Sequence, residues 1–166
     1  MRNALIFSLV AICLLVGSCQ SESRDDLQYI DQILKVYVRN EDGKDLLNKN
    51  IDSSFYNISM VDLEASRNDV SVSYSQKQDV DTVNFIEYTS GATRVLESGD
   101  NATQAIYRST IGVRYQKNTE TTFDQDTMII YYRFTPTVFE ISTVNYNRKE
   151  VFTKEDGIEN IVGIVK

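Results

Sequence analysis

Hydrophobic and polar positions divide this chain into three unequal zones. Ala4 to Val16 is an apolar run broken only by Ser8, preceded by Met1-Arg2-Asn3 and followed by the small pair Gly17-Ser18. Gln20 to Gln28 then reads Gln-Ser-Glu-Ser-Arg-Asp-Asp-Leu-Gln, with a single apolar residue. From Asp31 onward the pattern changes to short segments of period two. Leu34, Val36 and Val38 alternate with Lys35, Tyr37 and Arg39, as in a strand with one buried face.

The same alternation predicts strands through most of the remaining chain. Asn57 to Leu63 carries Ile58 and Met60, then Val61 and Leu63, a phase slip that predicts a bulge. Val70, Val72 and Tyr74 alternate with serines, and Val83 to Tyr88 is apolar on both faces. Thr93 to Glu97 reads as a short edge closed by Ser98-Gly99-Asp100. Thr103 to Gln116 is the longest alternating run, and Thr127 to Phe134 is bulky on both faces, which predicts a central strand. Val138 to Tyr146 has a second phase slip, Phe139 and Ile141 against Val144 and Tyr146. Thr153 to Asn160 reads as one helical turn and Ile161 to Val165 as a last strand. Asp42-Gly43 marks a tight turn. Nine or ten short strands without an amphipathic helix predict an all-β domain, an antiparallel β-sandwich of immunoglobulin-like or related type, with a β-barrel as the alternative.

The N-terminal zones have the anatomy of a bacterial export signal: a charged start, a short apolar helix-forming core and a small-residue cleavage site. The apolar run of 13 residues falls short of the roughly 20 that cross a bilayer as a helix. Val16-Gly17-Ser18-Cys19 resembles the lipobox of bacterial lipoproteins, which implies cleavage before Cys19 and lipidation of its thiol. The division expected is therefore a signal peptide over 1–18, a flexible acidic tether over 19–30 and a single β-domain over 31–166. Two or more acyl chains hold a protein stably where one holds it marginally.

Two further segments resemble a group of small Bacteroidota lipoproteins of unknown function: Val36-Tyr-Val-Arg-Asn-Glu-Asp-Gly-Lys-Asp-Leu-Leu47, and Ile141-Ser-Thr-Val-Asn-Tyr-Asn-Arg-Lys-Glu-Val151. In the second, Arg148 stands where that group usually has glycine. The resemblance implies a small β-rich envelope domain at the outer membrane, on its periplasmic or surface face, and brings no activity with it. Separately, Asp81-Thr82-Val83 and Asp126-Thr127-Met128 look like the Asp-Thr-apolar acceptor motif of Bacteroidota O-glycosylation. Thr82 and Thr127 are the candidate acceptors.

Composition narrows the chemistry. The formal charge of −7 becomes −8 once Arg2 leaves with the signal, which disfavours nucleic acid as a partner. Cys13 leaves as well, so Cys19 is the single cysteine of the mature chain and lipid would occupy its sulfur. With no histidine and no tryptophan, the commonest general base and metal ligand is missing. Asp79 with Asp81, and Asp124 with Asp126, are paired carboxylates that read as solvated strand ends; no metal, cofactor or catalytic residue is expected. Ten tyrosines offer Tyr107, Tyr115, Tyr131, Tyr132 and Tyr146 as a stacking surface, against ordinary sheet packing. The function expected is a lipid-anchored, non-enzymatic envelope protein that binds or builds, its partner an envelope protein or a glycan. The alternative is a lipocalin-like carrier of a small apolar ligand, which needs an unfilled interior.

Overall fold

A computed structural model describes residues 27–118 and 120–166, so the expected signal helix, Cys19 and most of the expected tether lie outside the described residues. Twelve strands follow one another, with no helix among the described residues: β1 Tyr29–Asp31, β2 Leu34–Arg39, β3 Phe55–Asp62, β4 Val70–Ser71, β5 Ser75–Gln78, β6 Asn84–Tyr88, β7 Val95–Asp100, β8 Gln104–Lys117, β9 Asp124–Phe134, β10 Val138–Tyr146, β11 Lys149–Thr153 and β12 Ile161–Val165. Eight form a large sheet ordered β1-β10-β9-β8-β3-β4, with β11 also on β10 and β7 also on β8. This sheet curls into a half-barrel. The other four form a small sheet ordered β12-β2-β6-β5. The all-β expectation holds. Both sheets are mixed, because β1 runs parallel to β10 and β12 parallel to β2.

One core lies between the sheets. Leu34, Val36, Val38, Ile86, Tyr88, Val162 and Ile164 of the small sheet meet Met60, Ile111, Val113, Met128, Ile130 and Ile141 of the large one. The period-two rule accounts for this division, since alternate side chains of one strand face the same way. On β8, Ala105, Ser109, Ile111, Val113 and Tyr115 are buried on the inner face. Strand β9 lies between β8 and β10, as its two-faced bulk predicts, with Ile129 and Tyr131 half-buried on the outside. The slip predicted in β10 is a register shift between Ile141 and Thr143.

The slip in β3 has a different cause. Its register shift falls between Phe55 and Asn57, and pairing with β8 is regular from Asn57 to Asp62. Val61 is instead buried on the outer face, where it covers Gly112 of β8: a Cβ at Gly112 would lie 2.9 Å from Val61 Cγ2. The chain after β4 crosses between sheets through buried Val72 and half-buried Tyr74. It enters β5, Ser-Gln-Lys-Gln, which is exposed throughout and whose polar sequence carries no strand signal. Ser98-Gly99-Asp100 belongs to β7, and the turn into β8 comes after it. Residues 154–160 form a loop with a turn from Ile158 N–H to Glu155 O, 3.2 Å, in place of the expected helical turn. Tyr29 and Ile30, placed by sequence in the tether, are paired with Val138 and Phe139.

Candidate functional site

A groove of about 670 Å³ lies at one end of the seam between the two sheets. Tyr29, Ile33, Val138 and Ile158 give it apolar lining, and five carboxylates and three cations also line it. The walls are held by a polar tie that joins both sheets. Lys154, just after β11, donates from Nζ to Asp31 Oδ2 (2.6 Å), Asn160 Oδ1 (3.1 Å) and the Ile158 carbonyl (2.6 Å). Asn160, buried before β12, donates from Nδ2 to Asp31 Oδ1 (2.8 Å) and the Ile33 carbonyl (3.0 Å). Gly157, at φ +75°, lets the intervening loop double back.

Every cation of the groove already has an anion. Lys35 pairs with Glu159 at 2.8 Å, Arg133 grips Glu140, and Lys154 holds Asp31. The groove thus presents carboxylate and carbonyl acceptors beside exposed apolar side chains. Such a surface takes hydroxyl or amine donors; it contains no thiol or imidazole to act as nucleophile or base.

A second polar cluster closes the opposite end of the half-barrel, and the sequence reading did not foresee it. Asp124 and Asp126 are not a solvated pair. Asp126 is buried on the inner face of β9 and accepts from Asn147 Nδ2 (2.7 Å), Tyr146 Oη (2.8 Å) and Lys166 Nζ. Lys166 also reaches Asp124 at 2.6 Å and lies 4.9 Å from the centre of the Tyr115 ring. The Tyr115 and Tyr146 hydroxyls are 2.8 Å apart. Burial raises the Asp126 pKa, but the hydrogen bonds from Asn147, Lys166 and Tyr146 outweigh it, so the carboxyl stays below its ordinary value. Burial likewise works against the Lys166 ammonium, and its two carboxylate partners overcome that and hold it above the usual lysine value. Burial drives the Tyr146 and Tyr115 hydroxyls upward.

At the groove end of the half-barrel, Arg94 stacks 4.7 Å above Phe139 and 5.0 Å above Tyr132, and donates to Gln32 Oε1 at 2.6 Å. The five candidate tyrosines do not share a surface. Tyr115, Tyr132 and Tyr146 are buried inside; Tyr107 is half-buried near Arg94, and Tyr131 half-buried on the outer face. For Tyr115, Tyr132 and Tyr146 the signal for burial was their inward phase, but the pattern alone does not say which end of a strand is closed. Asp79 folds into its own turn, its Oδ1 accepting from Asp81 N–H (3.0 Å) and Val83 N–H (2.9 Å).

The two candidate acceptor threonines part company. Thr82 is exposed in the β5–β6 turn at φ +64°. Thr127 is half-buried inside β9, its N–H bonded to Asn147 Oδ1, and the aspartate before it is the buried Asp126. Among the described residues, no three His, Cys, Asp or Glu side chains are grouped to hold a metal ion. No family model, no curated protein and no solved structure matches this chain.

Proposed function

We propose that the chain is a lipid-anchored protein of the bacterial envelope, held through Cys19 at the outer membrane, whose β-domain binds a partner without catalysis. The partner is an envelope protein or a glycan that offers hydroxyl or amine donors. The observation that carries this reading is the seam groove, whose cations are all neutralised internally and whose free valence is hydrogen-bond acceptance beside exposed apolar side chains. Tyr88, Tyr115, Tyr132, Met60, Met128 and Ile130 fill the space between the sheets, which favours this reading over a carrier of a small apolar ligand. Thr82, exposed in its turn, is the better acceptor for O-glycosylation; Thr127 would have to leave β9 to be reached.

Intact-mass measurement on protein purified from its own membrane tests the anchor. A mass short of residues 1–18 and increased by acyl chains, lost in Cys19→Ala, supports it. A soluble, unacylated product defeats it. In the same spectra, a glycan increment abolished by Thr82→Ala and retained in Thr127→Ala would assign the modification to the turn.

A further inference from the structure

We infer that the end of the domain around β1 rests against a zwitterionic lipid surface through a rim of apolar side chains. The inference rests on the anchoring reading above and adds to it the face that the domain turns to the bilayer.

The described chain begins with an unusual concentration of uncovered hydrophobic surface. Leu27, Tyr29, Ile30 and Ile33 are 78%, 60%, 58% and 47% exposed, and Ile158 of the neighbouring loop is 53% exposed. These residues surround the short edge strand β1: Tyr29, Ile33 and Ile158 on the seam groove, Ile30 on the side of Phe134 and Phe139. A soluble domain ordinarily keeps such residues scattered, and a contiguous group marks a contact surface.

The distance to the anchor selects the contact. Eight residue steps separate Cys19 from Leu27, at most about 28 Å of fully extended chain. The rim is thus the part of the domain that covalent geometry keeps nearest the acyl chains. A surface too weak to hold a membrane alone becomes effective when a tether fixes its local concentration. The charges nearby choose the lipid. Each cation of the groove is already paired with a carboxylate, so none is free to meet an anionic headgroup, and the chain carries a formal charge of −7; an anionic bilayer is therefore repelled and a zwitterionic one is accepted.

The test uses the acylated chain with a single reporter thiol. Lipid occupies the Cys19 sulfur, so Ile33→Cys provides one labelling site at the rim. Val80→Cys provides one at the far end of the small sheet, in the β5–β6 turn, where Val80 is 97% exposed. Each variant is labelled with an environment-sensitive maleimide dye and reconstituted into zwitterionic phosphatidylcholine vesicles. A blue shift at position 33 and none at position 80 is the result expected. One dye per chain with no shift at 33, or an equal shift at both positions, overturns the docking face while leaving the anchor intact. A shift at 33 only in membranes that retain their proteins overturns it in favour of a protein contact. Two dyes per chain would show Cys19 to be free, and the anchoring reading would fall, taking the docking face with it.

Discussion

Asn147 and Arg148 both adopt left-handed backbone, φ +48° and +68°, at the turn between β10 and β11. A two-residue hairpin turn of this kind matches the twist of its strands, but for any residue other than glycine the left-handed conformation is strained. The Asn147 side chain is used twice, accepting from Thr127 N–H and donating to Asp126, so the turn survives an arginine at its second position. Arg148→Gly is expected to raise stability by about 0.5 kcal/mol, the relief of strain being partly offset by a freer unfolded chain; the urea midpoint reads it. Gly99 is the converse. At φ +85°, with a Cβ that would fall 2.1 Å from the Gln104 carbonyl oxygen, Gly99→Ala is expected to cost about 2 kcal/mol or more and to open the β7–β8 hairpin. Amide exchange of β7 would show it. Arginine in place of the usual glycine at 148 spoke against a tight turn, which the structure nevertheless forms; the need for glycine at 99 was not legible either, because it arises from a backbone approached across the hairpin.

Strands β9, β10 and β12 meet at Lys166, Asp126 and Tyr146. Removing the ammonium leaves Asp126 buried without its charge partner. A fully buried pair broken this way loses roughly 3–5 kcal/mol; here Asn147 and Tyr146 still donate to the carboxylate. Lys166→Met is therefore expected to cost about 2 kcal/mol, and Lys166→Met combined with Asp126→Asn less than the sum of the two single changes, as a double-mutant cycle on thermal unfolding would measure. The carboxyls share a common pH signature. Asp62, Glu64, Asp79, Asp100 and Asp126 are all held below their ordinary values, 3.8 for aspartate and 4.5 for glutamate. Groups depressed in the folded state contribute stability above the unfolded pKa and lose it as pH falls through the folded one. The urea midpoint is thus expected to be level from pH 7 down to about 5 and to fall below about 4. Lys166 titrates in the opposite sense. Its raised value keeps its contribution present below the ordinary 10.5 and releases it only as pH climbs through the folded value.

For the molecule as a whole, two sheets enclose one core, and each open end of the half-barrel is stopped by a cation brought from elsewhere. Arg94 covers Tyr132 and Phe139 at one end, and Lys166 covers Tyr115 at the other. No cysteine lies among the described residues, so no disulfide staples the domain and its stability rests on this interior. Ile130, fully buried in the middle of β9, is the place where truncation should be felt most widely. Ile130→Ala is expected to cost about 3–4 kcal/mol, from lost transfer energy and the cavity left behind, with both sheets losing exchange protection together because they share that core.

Local pattern and long-range contact divided the determination of this protein between them. Alternation along β2, β8 and β10 shows itself in the chain because a strand sends successive side chains to opposite faces, a property of a few consecutive residues. The shift in β10 was readable for the same reason: one extra residue reverses the phase at a point that the order of Ile141 and Val144 displays. The strand β5 was not readable, since an exposed edge of Ser-Gln-Lys-Gln has no face to bury. The slip in β3 misled because Val61 is covered from outside, by a glycine contact on another strand. Partners are decided at still greater distance. Lys154 lies 123 residues from Asp31, and Lys166 lies 40 from Asp126. The closure of such loops depends weakly on their length, so no spacing in the sequence announces which ends will meet. The sequence determined that the chain forms strands with one apolar face. Only the packed structure decided that two edge strands run parallel, that Asp126 is buried rather than solvated, and that the acceptor-lined groove opens where the sheets part, because each follows from which surfaces exclude water together.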